Sequence, residues 1–160
     1  MTTDVVVANY ENENHAKDIV LLLNDYAKDP MGGGEPLTQR VQASLVCELA
    51  KLPHAFSVIA YVGGEPAGLA NCFMGFSTFK CKPLINIHDL SVVEQFRGQG
   101  ISQALLAKVE EQAKIKGCCK VTLEVLEGNE AARHSYLKFG FDGYELDPKM
   151  GKALFWQKVL

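Results

Sequence analysis

The stretch from Leu84 to Gly117 constrains the fold more than any other part of the chain. Leu84 to Val93 predicts a strand, with apolar residues recurring on one face and β-branched side chains among them. Gln95-Phe96-Arg97-Gly98-Gln99-Gly100 is a tight turn. Ile101, Leu105, Leu106, Val109 and Ala113 then share one helical face, while Glu110, Glu111, Lys114 and Lys116 lie elsewhere and Gly117 supplies a C-cap. The start of a helix presents N–H groups with no partner inside the helix, and the macrodipole adds partial positive charge there. Glycine at 98 and 100 lets a ligand approach that backbone, and Arg97 places a full charge beside it. Such a turn suits phosphate or pyrophosphate. It suits plain strand–helix packing equally well, and both readings stand on the turn alone. It is not a Walker A loop, because G-x-x-x-x-G-K-S/T is missing, and Gln103 occupies the third glycine position of a dinucleotide fingerprint.

Composition excludes several classes of function. A chain of 160 residues, 48% hydrophobic and 22% charged, predicts one globular domain over 1–160 with a real core. A net charge of -3 argues against a nucleic-acid partner. With no long apolar run and no basic leader, neither a membrane span nor a secretory signal is expected. Five cysteines (47, 72, 81, 118 and 119) make an odd count without C-x-x-C, which points to a reducing, cytoplasmic setting. His15, His54, His88 and His134 are scattered, so no metal site is expected.

The flanking elements follow from periodicity and punctuation. Val5 to Tyr10 reads as a strand. Ile19, Val20, Leu22, Leu23 and Tyr26 mark a helix that ends by Asp29-Pro30. The loop Met31 to Pro36 contains Gly32-Gly33-Gly34 and reads either as a flexible connection or as a lid over a cleft. Asp25, Asp29 and Glu35 flank it, as a solvated face or as an attraction for a cation. Thr38 to Leu52 is a second helix, stopped by Pro53. Phe56 to Val62 and Ala67 to Phe79 form a hairpin around Gly63-Gly64, with Gly68 and Gly75 as bulge positions. Lys120 to Val125 is a strand, Glu130 to Lys138 a helix capped by Asn129, and Phe141 to Leu146 with Ala153 to Val159 a closing antiparallel pair. The expected result is an α/β domain with a mixed, mostly antiparallel sheet of seven strands and about four helices.

Two strings carry a family resemblance. Leu90-Ser91-Val92 followed by Gln95-x-x-Gly98-x-Gly100-Ile101 resembles the acetyl-CoA signature of the GNAT superfamily of N-acetyltransferases. Asn129-Glu130-x-Ala132-x-x-x-Tyr136-x-Lys138-x-Gly140-Phe141 is similar to the last conserved block of that family. Phe76 to Val92 resembles the diamine and thialysine acetyltransferase branch in its Ser77-Thr78-Phe79, Lys82-Pro83 and Asp89-Leu90-x-Val92. The resemblance implies a sheet whose fourth and fifth strands splay apart, with acetyl-CoA as co-substrate in the opening. It implies that the backbone at Leu90 and Val92, with Ser91 between them, pairs with pantetheine and the thioester. Arg97, Gly98, Gln99, Gly100, Ile101, Ser102 and Gln103 would take the pyrophosphate, and Asn129 the pantetheine arm. It further implies a small-molecule amine as acceptor, a part for the glycine loop in the acceptor site, and a homodimer as a common assembly.

Amine acetylation needs a polarised thioester, a neutral amine and a protonated or stabilised leaving thiolate. With both substrates held together no covalent enzyme intermediate is required. Tyr136, seven residues after Asn129, matches the family tyrosine. A phenol with pKa near ~10 holds its proton until the thiolate needs it. By pattern alone Tyr136 is equally an aromatic on the inner face of a helix. His88 is the candidate base, with an ordinary pKa near ~6.5. In the diamine-type enzymes a glutamate aligns there and an acidic residue follows. Strict alternation would set His88 and Asp89 on opposite faces of the sheet. His88 as a structural residue, and Asp89 or water as the base, remain open on sequence. So do a regulatory CoA-binding module, a protein N-terminal or lysine acetyltransferase, and an unrelated nucleotide binder.

Overall fold

The computed structural model describes residues 2–160. The elements run β1 (Thr3–Val7), α1 (Glu13–Lys28), a 3-10 turn (Pro30–Gly32), α2 (Gln39–Ala50), β2 (Ala55–Val62), β3 (Glu65–Ser77), β4 (Lys82–Val92), a 3-10 turn (Glu94–Phe96), α3 (Ile101–Ile115), β5 (Val121–Leu123), α4 (Glu130–Phe139) and a 3-10 turn (Pro148–Met150). The chain divides into two compact units, the first ending at Leu123 and the second spanning Glu124–Leu160.

In the first unit, local chemistry sets the helix ends. Asn12 caps α1 by accepting from the N–H groups of Asn14 and His15. Asp29 is extended ahead of Pro30, which stops α1 there. Thr38 caps α2 through the N–H of Val41. The sheet has the order β1-β2-β3-β4-β5. Its first four strands pair antiparallel and β5 joins β4 in parallel.

The helices of this unit cover both faces. Ile19 and Leu22 of α1 and Val46 of α2 pack with Ile59 and Leu69 of the sheet. Gly68 precedes Leu69 and so looks to the opposite face. There a Cβ on Gly68 would lie 3.0 Å from Ile101 Cγ2, Leu105 Cδ1 and Ser91 O. The absent side chain is what lets α3 lie directly on β3. Gly68→Val is therefore expected to lower the unfolding free energy by about 1–3 kcal/mol through overpacking. Denaturant unfolding measures this, and an unchanged midpoint would refute the close contact.

The second unit holds α4. Asn129 Oδ1 accepts from the Ala132 N–H at 3.2 Å, and Gly140, with φ 112°, ends the helix. The buried Tyr136 ring lies 5.9 Å from that of Phe141. Beyond Phe141 the expected strand pair does not form. Among the described residues one bridge, Glu145 to Lys152, links the two segments. The sheet is thus five-stranded. Leu146, Leu154, Phe155 and Trp156 are all at least 75% exposed, so no apolar face is buried to fix a register. Pro148 and Gly151 also divert the backbone into a 3-10 turn.

Candidate active site

The pairing of β4 changes partway along its length. Ile85, Asn86 and Ile87 pair with Val121, Thr122 and Leu123 of β5, and the parallel ladder stops there. On the other side, Asp89 to Val92 continue to pair with Asn71 to Gly68 of β3. From His88 onward β4 therefore presents one edge without a strand partner among the described residues. The pairing of β4 with β5 thus ends at Ile87 and Leu123.

The direction of the backbone follows from one hydrogen bond. Val93 donates its N–H to Ala67 O of β3 at 2.9 Å. With a strand period of two, Ser91 points the same way, and the amides of Leu90 and Val92 point to the open edge. Arg97 Nε confirms the direction by reaching Val92 O at 3.1 Å.

Between the paired and open halves lies a bulge. Asn71 opposes Asp89 while Cys72 opposes Ile87, which leaves His88 as an extra residue in β4. The bulge corrects the alternation expected from sequence: His88 and Asp89 lie on the same face. Both line a pocket of about 340 Å³. Leu23, Ala27, Leu37, Leu45, Leu49 and Phe73 make its apolar wall, and Tyr26 and Asn71 add polar groups. The His88 ring meets the Phe73 ring edge-on at 5.7 Å. Asn71 Nδ2 donates to Asp89 Oδ2 at 3.0 Å. Tyr26 holds its proton firmly, because burial raises its pKa and the charges of Asp89 and Asp29 add to the effect. Behind the pocket, the Cys72 thiol is pushed up to about 12 by burial and by the Asp89 charge. It stays protonated and is no acyl-carrying nucleophile.

Past β4 the chain enters the glycine turn. Gly98 and Gly100 have φ of 76° and 80°, and a Cβ at either would meet nothing within 4 Å. Side chains cap α1, α2 and α4, whereas Gly100 gives α3 no side-chain cap. Helix geometry leaves the amides of Ile101, Ser102 and Gln103 outside the internal ladder. A glycine turn at an uncapped helix start suits a pyrophosphate, and an open strand edge suits the amides of a pantetheine arm. Gln99 turns back, its Nε2 donating to Gln95 O at 3.1 Å.

Arg97 is more committed than its sequence suggested. Besides Val92 O, it bonds Asp29 Oδ2 through Nη2 at 3.0 Å. Asp29 Oδ1 in turn accepts from the Met31 N–H, and that bond and then Arg97 hold the Asp29 carboxyl below the usual carboxylate range. The glycine loop is thereby tied to the glycine turn that precedes α3. Gly32 packs so closely on α1 that a Cβ would clash with Tyr26 O. Pro30–Gly32 forms the 3-10 turn, and Gly32 reaches the pocket wall.

A model of the acetyltransferase (GNAT) family matches residues 19–141. The chain belongs to this family. It is an acetyl-CoA-dependent N-acetyltransferase by that membership. The GNAT match runs through both units. Among similar sequences, the thialysine N-epsilon-acetyltransferase of Caenorhabditis elegans is 28% identical over 127 residues, 74% of this chain and 72% of that protein. The thialysine N-epsilon-acetyltransferase of Bos taurus is 37% identical over 84 residues, so the matched part spans 48% of its length. Among solved structures, AAC(6')-Iy in complex with the bisubstrate analog CoA-S-monomethyl-acetylneamine aligns with a TM-score of 0.76 at 20% identity, covering 100% of each chain. An aminoglycoside acetyltransferase from an uncultured soil metagenomic sample, in complex with sisomicin, gives 0.79 at 14% identity over 99% of this chain and 97% of that one. These structures share the GNAT fold.

Of the residues singled out by sequence, the first unit brings together His88, the open edge at Leu90 and Val92, and the turn and helix start from Arg97 to Gln103. Ser91 lies between the two outward amides with its own backbone toward β3. Asn129 and Tyr136 sit on α4 of the second unit. Sequence reading passed over Asn71, which stands alone as a polar residue in the apolar run Ala67 to Phe73. That isolation was the available signal.

Proposed function

We propose that residues 1–160 act as one catalytic domain that acetylates the primary amine of a small cation by direct transfer. The observation that carries this reading is the bulge that turns His88 and Asp89 into one pocket, next to the open edge of β4. Asp89 is the charged partner for an ammonium group, and the apolar wall excludes water around it. His88, exposed at the rim, takes the proton that the ammonium must lose before attack. Bound acetyl-CoA supplies the activated acyl group. The outward amides of Leu90 and Val92 hold its pantetheine and polarise the carbonyl. Gly98 to Gln103 bind the pyrophosphate, Asn129 the pantetheine arm, and Tyr136 returns a proton to the leaving thiolate. The thialysine and aminoglycoside acetyltransferases named above have cationic amines as substrates by their names, which supports the same class here.

The test is release of free thiol from acetyl-CoA across a panel of diamines, polyamines, thialysine, aminoglycosides and short peptides. Turnover is expected with small cationic amines. Asp89→Asn is expected to raise the KM for the amine roughly tenfold or more while leaving acetyl-CoA affinity unchanged. Turnover confined to peptides would point to a protein acceptor. Binding of acetyl-CoA without any turnover would point to a regulatory module.

A further inference from the structure

The polar side chains buried within the first unit form a single line. Tyr10 Oη lies 2.9 Å from Ser57 Oγ, Ser57 Oγ donates to Asn71 Oδ1 at 2.6 Å, and Asn71 Nδ2 donates to Asp89 Oδ2 at 3.0 Å. Ser57 is 0% and Asn71 3% exposed, and among the described residues no other polar side chain is buried as deeply. Polar groups at such depth are costly unless partnered, and here each link is made.

The line has a fixed direction, set at the pocket. An ionised carboxylate only accepts, so Asn71 turns its NH2 toward Asp89 and its carbonyl toward Ser57. Ser57 then gives its one proton to Asn71 and receives the phenol proton of Tyr10 on its own oxygen. Burial raises the pKa of Tyr10, which keeps that phenol a donor. The line also meets β4 where it is needed. Asn71 and Asp89 are direct partners across the sheet, and Asp89 follows the extra residue, where a regular ladder no longer dictates the aim of a side chain.

We propose that Asn71 and Ser57 are positioning residues for the acceptor amine: the line from Tyr10 holds the Asp89 carboxylate by one oxygen and fixes the angle at which it meets the ammonium group. This rests on the reading of Asp89 as the group that binds the acceptor cation. Ser57 touches neither substrate and acts through Asn71 on Asp89. It adds a rigid, buried support to a charged group on an irregular piece of strand.

The experiment is a double-mutant cycle with Ser57→Ala and Asp89→Asn, using the most rapidly acetylated amine of the panel above. Ser57→Ala is expected to raise the KM for the amine roughly five- to tenfold and to leave acetyl-CoA affinity unchanged. In the Asp89→Asn background the same change is expected to have no further effect. An unchanged KM in Ser57→Ala, or an equal loss in both backgrounds, would overturn the proposal while leaving the acceptor reading intact. An unchanged KM in Asp89→Asn alone, or silence across the whole panel, would overturn the acceptor reading and this proposal with it. Where Ser57→Ala does not fold, Tyr10→Phe removes the outer end of the line without opening a cavity, and its cycle with Asp89→Asn decides by the same criteria.

Discussion

Gly98→Glu abolishes acetyl-CoA binding: a loss of roughly a hundredfold or more in Kd is the expected calorimetric result. Two effects act in the same direction. At φ 76° a residue with a Cβ is strained by about 1–2 kcal/mol, which loosens the turn. The larger effect is electrostatic. Apart from Gly98 itself and its two chain neighbours, no protein atom lies within 4 Å of the Cβ position, so the new side chain has open space beside the turn. There its carboxylate meets the pyrophosphate with like charge at an uncapped helix start. The same open surroundings mean the fold itself tolerates the change. Gly98→Ala serves as the control, since it introduces the strain without charge or reach, and its loss is expected to stay within about tenfold. Normal affinity in Gly98→Glu would remove the turn from the cofactor site.

The second large effect is on the chemical step. Tyr136→Phe is expected to lower kcat by about 10²–10⁴-fold with acetyl-CoA affinity unchanged. The ring is buried and lies against Phe141, so the packing that holds α4 survives loss of the hydroxyl. A change confined to kcat identifies a group that acts on the departing thiolate and not on substrate binding. Turnover at the unmodified rate would restrict Tyr136 to the core of its unit.

How much of this could be read from the chain depends on distance. The helices were legible because their signals are local: Asn12 and Thr38 cap, Pro30 and Gly140 stop, and apolar residues repeat between them. The glycine turn was legible for the same reason. The Arg97 contact with Asp29 was not, because its partners lie 68 residues apart and nothing in either neighbourhood selects the other. The two closing strands, Phe141 to Leu146 and Ala153 to Val159, were expected from runs of aromatic and aliphatic residues. Their apolar residues stay exposed, and composition alone does not fix a register. The bulge was hidden for a subtler reason. Ile85 and Ile87 alternate properly, but His88 and Asp89 are both polar, so the shift of phase falls where hydropathy has no contrast to report.

That extra residue makes β4 two rulers joined with an offset. Below His88 the strand counts in step with β5, and above it the count restarts for the open edge. A strictly alternating β4, carried on from Ile85, whose N–H reaches Lys120 O, would turn the amides of Asp89 and Ser91 outward and those of Leu90 and Val92 inward to β3. The one extra residue reverses that parity and sets the amides of Leu90 and Val92 at the open edge. Which amides face outward is therefore decided by a count of residues, independently of which side chains the segment bears.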